Sequence, residues 1–326
     1  MKTLVIKDGA ALGAKLLKEG EIVAFPTETV YGLGALFDNV CAIGKIYEAK
    51  GRPKDNPLIL HAFDIEMAKS VAVLDDKALR LFEKFSPGPI TLILPKKENV
   101  PMEVTCGLTT VGVRIPKHDA ARELIRLAGA PIAAPSANLS GRPSPTSAKM
   151  VYEDMNGKIS LIIDGDSSET GLESTIFDVG TNTVLRPGAI TAEMLEDCLG
   201  ETIYAAGAVG KDEKPKAPGM KYRHYAPKAK VRLMRAEDFE SVDFAKKNTV
   251  GALVSRTVAE KLSEILPNEN IFCYGQQGNT EEIAANLYEG LAYFDFLPNI
   301  ELILAEVVEE KGIGVAVMNR LRKAAK

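Results

Sequence analysis

The sequence predicts an α/β protein: a mixed, twisted sheet with helices, followed by a small Rossmann-like α/β domain at the C-terminus. Three observations predict this. Over the first 200 residues, short apolar runs of strand character alternate with helical periods, and several strands follow closely with few helices between them. That spacing favours a mixed sheet over a regularly doubly wound one. Residues 205–230 then lose any clean period and carry the breakers Gly207, Gly210, Pro215, Pro218, Gly219 and Pro227. From residue 231 the alternation restarts and runs to the end of the chain.

The elements read in order as follows. Thr3–Lys7 is a strand and Ala10–Lys18 a helix, with Asp8 placed to cap it. Strand-like runs recur at Glu21–Phe25, Pro57–His61, Ile90–Leu94, Val111–Ile115, Ile132–Ala134, Leu161–Asp164, Ser174–Val179 and Thr183–Leu185. Helical patterns recur at Val40–Lys50, Asp75–Phe85 and Asp119–Ala128. In the C-terminal part, Val231–Met234, Thr249–Val254, Ile271–Tyr274 and Glu301–Ala305 read as strands. The helix before the last of these carries Ile283, Leu287 and Leu291 on one face and opens with Asn279 and Glu282. Gly312–Lys326 closes the chain as a helix whose basic end suits its dipole. No GxGxxG turn occurs there, so no dinucleotide site is read into it.

Composition bounds the function. With 326 residues the chain has room for two domains, and 46% apolar with 26% charged residues is ordinary for a soluble globular protein. Charge arrives at Lys2 and Lys7, before any long apolar run, which argues against a secretory signal and for a cytoplasmic protein. Cys41, Cys106, Cys198 and Cys273 are dispersed, so reduced buried thiols are expected rather than zinc or disulfides. The net charge of −4 does not suit a passive nucleic-acid coat. Basic character concentrates in residues 211–232, with 8 Lys/Arg against 2 acids.

Several loops could carry chemistry. Pro26-Thr27-Glu28-Thr29-Val30-Tyr31-Gly32-Leu33-Gly34 places hydroxyls, a carboxylate and a phenol after an apolar run; a strand followed by a Gly-rich turn is the plain alternative. Lys50, Arg52 and Lys54 crowd a loop stiffened by Pro53 and Pro57, which suits a triphosphate clamp or simply a solvated basic loop. His61 ends the following strand and reads as a satisfied structural histidine or a catalyst. Arg114 sits between apolar neighbours; it either faces outward or awaits an anionic ligand. The loop Pro135–Thr146 is dense in hydroxyl and amide groups. No Walker loop or nucleophile elbow occurs, and the three histidines fit no triad, so covalent catalysis has little support.

Together these segments resemble the YrdC-like family. The resemblance rests on Pro26–Gly34, Lys50-Gly51-Arg52, Asn56-Pro57-Leu58, Pro87-Gly88-Pro89-Ile90-Thr91, Val113-Arg114-Ile115-Pro116, Pro135-Ser136-Ala137-Asn138, Ser174-Thr175 and Arg186-Pro187-Gly188. Ala217–Pro227 and Gly312-Ile313-Gly314 resemble the two-domain form. The resemblance implies a catalytic domain at 1–203, a basic linker at 204–230 and a Rossmann-like domain at 231–326. It implies a nucleotidyltransferase that joins L-threonine, bicarbonate and ATP into threonylcarbamoyl-adenylate and pyrophosphate, with Mg2+, for a downstream transferase acting on tRNA. Thr29, His61, Arg114, Ala134 and Ser174 would hold threonine. Arg52, Asn56, Thr110, Ser136, Asn138, Ser144, Arg186 and Tyr225 would hold ATP, with Lys50 and Arg52 catalytic and the linker a lid over the site. A carbamoyl-adenylate-forming enzyme and an RNA- or nucleotide-binding module are the rival readings.

Overall fold

The computed structural model describes residues 2–207, 215–221, 224–244 and 247–326. The linker residues 208–214, Tyr222 and Arg223 lie outside the described residues. The chain divides into two compact units. The first comprises Met1–Ser140, Pro145–Glu169 and Glu173–Lys221; the second comprises Gly141–Ser144, Thr170–Leu172 and Tyr222–Lys326.

The first unit runs β1 (Leu4–Lys7), α1 (Ala10–Lys18), β2 (Val23–Phe25), β3 (Gly32–Leu36), α2 (Val40–Lys50), β4 (Ile59–His61), α3 (Ile65–Lys69), α4 (Asp76–Phe85) and β5 (Ile90–Pro95). It continues α5 (Met102–Thr105), β6 (Thr110–Arg114), α6 (Asp119–Ala128), β7 (Ile132–Ala134), α7 (Ala148–Met155), β8 (Leu161–Asp164), β9 (Thr175–Asp178), β10 (Thr183–Arg186), α8 (Ala192–Leu199) and β11 (Tyr204–Ala205). All the strands join one mixed sheet, ordered β1-β8-β2-β3-β7-β4-β6-β5-β9-β10-β11.

Strand alternation divides the core between the two faces of this sheet. One face buries Leu58, Leu60, Leu92, Val113, Ala133 and Phe177 against α2, α4 and α7. The other is only partly covered. There α1 and α6 seal Val23, Phe25, Ile132, Ala134, Leu161 and Ile163. Beyond β7 the same face presents Ile59, Ile93 and Ile176, and Ala217 from the described linker packs on them with no exposed surface. Residues 215–221 are tied down further by Lys216 to Asp178 at 3.0 Å and Lys221 to Asp55 at 3.4 Å.

Four expectations need correction. Gly32 and Gly34 lie in a strand, not a turn. A Cβ there would come within 2.9 Å of the Phe25 ring, so glycine lets the ring lie flat across β3. Asp8 does not cap α1; it takes φ +56 and the cap position falls to Gly9, without a side-chain bond. The cysteines are free but none is buried: Cys41 and Cys273 are exposed, Cys106 and Cys198 half-buried. Cys41, for instance, sits in the first turn of α2, whose buried positions are Ala42, Ile43, Ile46, Tyr47 and Lys50. The helices α3, α5, α7 and α8 were not foreseen, because eight residues or fewer give little period to read.

The second unit runs β12 (Lys230–Met234), β13 (Val250–Ser255), α9 (Arg256–Leu262), β14 (Ile271–Gly275), α10 (Thr280–Tyr293), β15 (Leu302–Glu306) and α11 (Gly314–Ala324). Its four strands are parallel and ordered β12-β15-β13-β14. The side chain of Asn279 accepts from Glu282 N, starting α10, which buries Ile283, Leu287 and Leu291. Val258 and Leu262 of α9 pack on the Ala252–Val254 face, whereas Gly290 of α10 closes on Leu253 from the other side. The Tyr225 ring lies 5.3 Å from that of Tyr288, and the Arg320 guanidinium sits 5.7 Å from its centre. Among the described residues no helix is long and apolar enough to cross a membrane.

Candidate functional site

The part of the first sheet that no helix covers among the described residues carries the polar residues. β4 and β6 are parallel neighbours with His61 opposite Arg114 and Ile59 opposite Gly112. Alternation therefore puts Thr110, Gly112 and Arg114 on the same face as His61. β7 lies on the other side of β4 and places Ala134 opposite Ile59. β5 brings Thr91 opposite Ile176 of β9. Thr91 Oγ1 and Ser174 Oγ share a hydrogen bond at 2.7 Å, and Arg186 donates to Ser174 O and Oγ, both at 3.1 Å.

One cluster is organised around Arg114. Its guanidinium does not face outward. It is buried, and Nη2 stands 2.8 Å from Glu28 Oε1. Those two atoms form no aligned hydrogen bond, so the contact is chiefly one of charge. Nε reaches Gly88 O at 3.4 Å, and Glu28 Oε2 accepts from Lys117 N at 3.1 Å. Burial pushes the Glu28 carboxyl up, but the Arg114 charge, with the backbone amide of Lys117, brings it below the ordinary carboxylate value. His61 beside them is pushed down to about 3, by burial first and then by the Arg114 charge. It is therefore a neutral imidazole. Its Nδ1 has no hydrogen-bond partner, so it is not the satisfied structural histidine that one reading allowed. Phe25 holds the ring edge-on, with centroids 5.8 Å apart and planes at 85°. Thr27 Oγ1 bonds Thr29 Oγ1 at 2.8 Å and Val30 O at 2.6 Å, which fixes the loop between β2 and β3.

A second cluster gathers cations. Lys50 ends α2, and its ammonium donates to Ser136 O at 2.6 Å and Asn138 O at 2.5 Å. Ser136 Oγ donates to Asn138 Oδ1 at 2.6 Å. Arg52 follows Gly51, which takes the left-handed φ +58 that ends the helix. Its Nε and Nη2 donate to Asn56 O and Pro57 O at 3.0 and 2.8 Å. Asn56 Oδ1 is buried without a partner. Burial and the nearby Arg52 hold the Lys50 pKa well below its usual value. Burial also lowers Arg52, and Arg186 adds repulsion. Arg52 thus feels both Lys50 and Arg186, and the Asp154 carboxylate only partly offsets the crowding at Lys50.

The first unit therefore brings together Thr29, Lys50, Arg52, Asn56, His61, Thr110, Arg114, Ala134, Ser136, Asn138, Ser174 and Arg186. Ala134 lines the sheet with backbone and a methyl group, and Thr110 is half-buried at the start of β6. Ser144 and Tyr225 are buried in the second unit. Sequence reasoning missed Glu28 and Thr91 as site residues, although both lie in stretches it singled out; a carboxylate within three residues of a strand end was the available signal for Glu28. Among the described residues no group of three His, Cys, Asp or Glu side chains could hold a metal ion.

Two family models match the chain. One, described as "Telomere recombination", covers residues 15–188. The other, "Threonylcarbamoyl-AMP synthase, C-terminal domain", covers residues 190–326. The threonylcarbamoyl-AMP synthase of Pyrococcus abyssi is 46% identical over 96% of this chain and 93% of its own. That of Bacillus subtilis is 43% identical over 97% of this chain and 92% of its own. A crystal structure of P. abyssi Sua5 complexed with L-threonine superposes with a TM-score of 0.88 at 43% identity, over 99% of this chain and 97% of that one.

Proposed function

The chain belongs to the threonylcarbamoyl-AMP synthase family, and from that premise we propose how its own residues carry the reaction. L-threonine, bicarbonate and ATP become threonylcarbamoyl-adenylate, pyrophosphate and water. The amine of threonine attacks the carbon of bicarbonate-derived CO2 and loses a proton, giving a carbamate. A carbamate oxygen then attacks the α-phosphorus of ATP, and the bond to pyrophosphate breaks.

One observation carries the reading: the first unit buries two cationic clusters, one around Arg114 and one around Lys50 and Arg52, with Arg186 bonded to Ser174 and close enough to Arg52 to repel it. Arg114 is the group for the threonine carboxylate, with Glu28 holding the guanidinium from behind. His61, neutral and with Nδ1 free of protein partners, offers a hydrogen bond to a polar group of threonine. Ser174 and Thr29 supply hydroxyls beside them. Lys50, Arg52 and Arg186 form the anion side, for the phosphates of ATP, with Asn56, Ser136 and Asn138 completing the polar wall. Among the described residues no cluster of His, Cys, Asp or Glu could hold Mg2+, so the phosphates of ATP would hold it, and it would supply charge neutralisation for the transfer. Residues 215–221, docked on Ile59, Ile93 and Ile176, keep water from this face. A transferase acting on tRNA consumes the product, and the cytoplasm is where both proteins work.

The test is pyrophosphate release by the purified protein from ATP and bicarbonate, with and without L-threonine. Strict dependence on threonine, with serine much poorer, is the expected result. Turnover that ignores threonine and proceeds with carbamoyl phosphate would overturn it.

A further inference from the structure

The parallel sheet of the second unit holds a cleft of about 460 Å³ at the C-terminal ends of its strands, which the reaction above does not use. The adjacent strands β13 and β15 send their chains to opposite faces there. β13 leads into α9, over Ala252 and Val254, whereas β15 leads into α11, which packs with α10. In open parallel sheets, such a divergence opens the crevice in which ligands bind.

The floor of the cleft is polar and short of partners. Ser255 ends β13 and Glu306 ends β15, and they are 1% and 3% exposed. The Ser255 amide donates to Glu306 Oε2 at 2.7 Å, but Ser255 Oγ has no hydrogen-bond partner. Among the described residues no Lys, Arg or His forms an ion pair with Glu306. The Tyr274 hydroxyl donates to Glu306 O at 2.9 Å, which fixes its ring as a side wall. A buried carboxylate and hydroxyl left this way cost stability that a ligand bearing hydroxyl donors would recover. The carboxylates of the cleft outnumber its cations, which disfavours an anion. Arg235 and Lys311 stand against Glu237, Glu306 and Glu309, Lys311 is paired with Glu309, and the first turn of α10 adds Glu281 and Glu282.

We propose that this cleft binds the ribose of an uncharged nucleoside, one of the vicinal hydroxyls donating to Glu306 and the other exchanging a hydrogen bond with Ser255 Oγ. The test uses the full chain labelled with 13C in its Ile and Val methyl groups. Adenosine is expected to shift Ile283, Val307 and Val308, which line the cleft, apart from any shifts in the first unit. 2′,3′-Dideoxyadenosine and AMP are expected to bind there at least tenfold more weakly. Glu306→Gln is expected to weaken adenosine at these methyls at least tenfold, and Ser255→Ala several-fold. Equal binding of adenosine and its dideoxy form, no shift at these methyls, or shifts with ethylammonium but not adenosine would each overturn the proposal. The comparison of the two nucleosides needs no variant, so misfolding cannot mask the answer.

Discussion

Glu28 and Arg114 meet at 2.8 Å with side chains only 6% and 5% exposed, joining the loop after β2 to the end of β6. Two opposite charges buried together are costly to separate: removing one leaves the other stranded, at about 3–5 kcal/mol. Glu28→Gln and Arg114→Gln are each expected to lower the unfolding free energy by that order, and the double variant by clearly less than the sum. Denaturant titration of the four proteins measures this. Arg114→Gln is also expected to raise KM for threonine by two orders of magnitude or more, since its carboxylate loses its partner.

Lys50 and Arg52 spend their named hydrogen bonds on carbonyl oxygens, so their charge stays available to a phosphate. Arg52→Ala is expected to cut the rate of pyrophosphate release about 10²–10³-fold, the usual effect of losing one preorganised donor to developing charge. Lys50→Met keeps the stem but drops both bonds to the 136–138 loop. It should raise KM for ATP and lower the rate together, which steady-state kinetics in both substrates will separate from a change in threonine KM.

Acid should destabilise the first unit through two groups. His61 folds neutral with its pKa lowered to about 3, whereas the unfolded histidine binds a proton near its ordinary value of 6.5. The unfolded chain therefore holds the extra proton between those values, and stability falls as pH drops through that window, by up to about 1.4 kcal/mol per pH unit. Glu28, whose pKa is lowered from 4.5, adds its loss only below that value. His61→Asn is expected to flatten the dependence between pH 6 and 4.5 and leave the fall below it. Urea midpoints across pH measure both.

Ala217 has no exposed surface and touches Ile59, Ile93 and Ile176. An Ala217→Asp side chain would strand a carboxylate among three isoleucines, so residues 215–221 should leave the sheet while the fold persists. The expected outcome is a fall of at least tenfold in threonylcarbamoyl-adenylate formed per pyrophosphate released, as water reaches the labile product. Deleting residues 211–228 should do the same, and full activity in that deletion would discard the role given to the linker.

Much of this was legible in the chain because strand ends announce themselves. His61 closes one apolar run and Arg114 interrupts another, and alternation puts them on a common face once β4 and β6 pair in register. The pairing itself was not legible, since β4 and β6 lie some fifty residues apart in sequence and nothing local sets which strands adjoin. Arg114 shows the limit well: its residues admit an outward arginine or a buried one, and only the arrival of Glu28 from a distant loop decides. β3 was hidden for another reason. Its glycines look like a turn until the Phe25 ring that needs their bare backbone is seen against them. The short helices and the partly packed linker owe their form to tertiary contacts that no local period records.

The bare stretch of β3 has a consequence for how this protein can change over generations. Gly32 and Gly34 touch no proposed substrate group, yet a methyl at either would lie within 2.9 Å of Phe25, and Phe25 is the ring against which His61 stands. A single-base change in β3 would thus be felt as a tilt of the imidazole. Drift in β3 is checked both through packing and through the site: a replacement at 32 should come only with a smaller residue at 25, and one at 34 only with smaller residues at both 25 and 132.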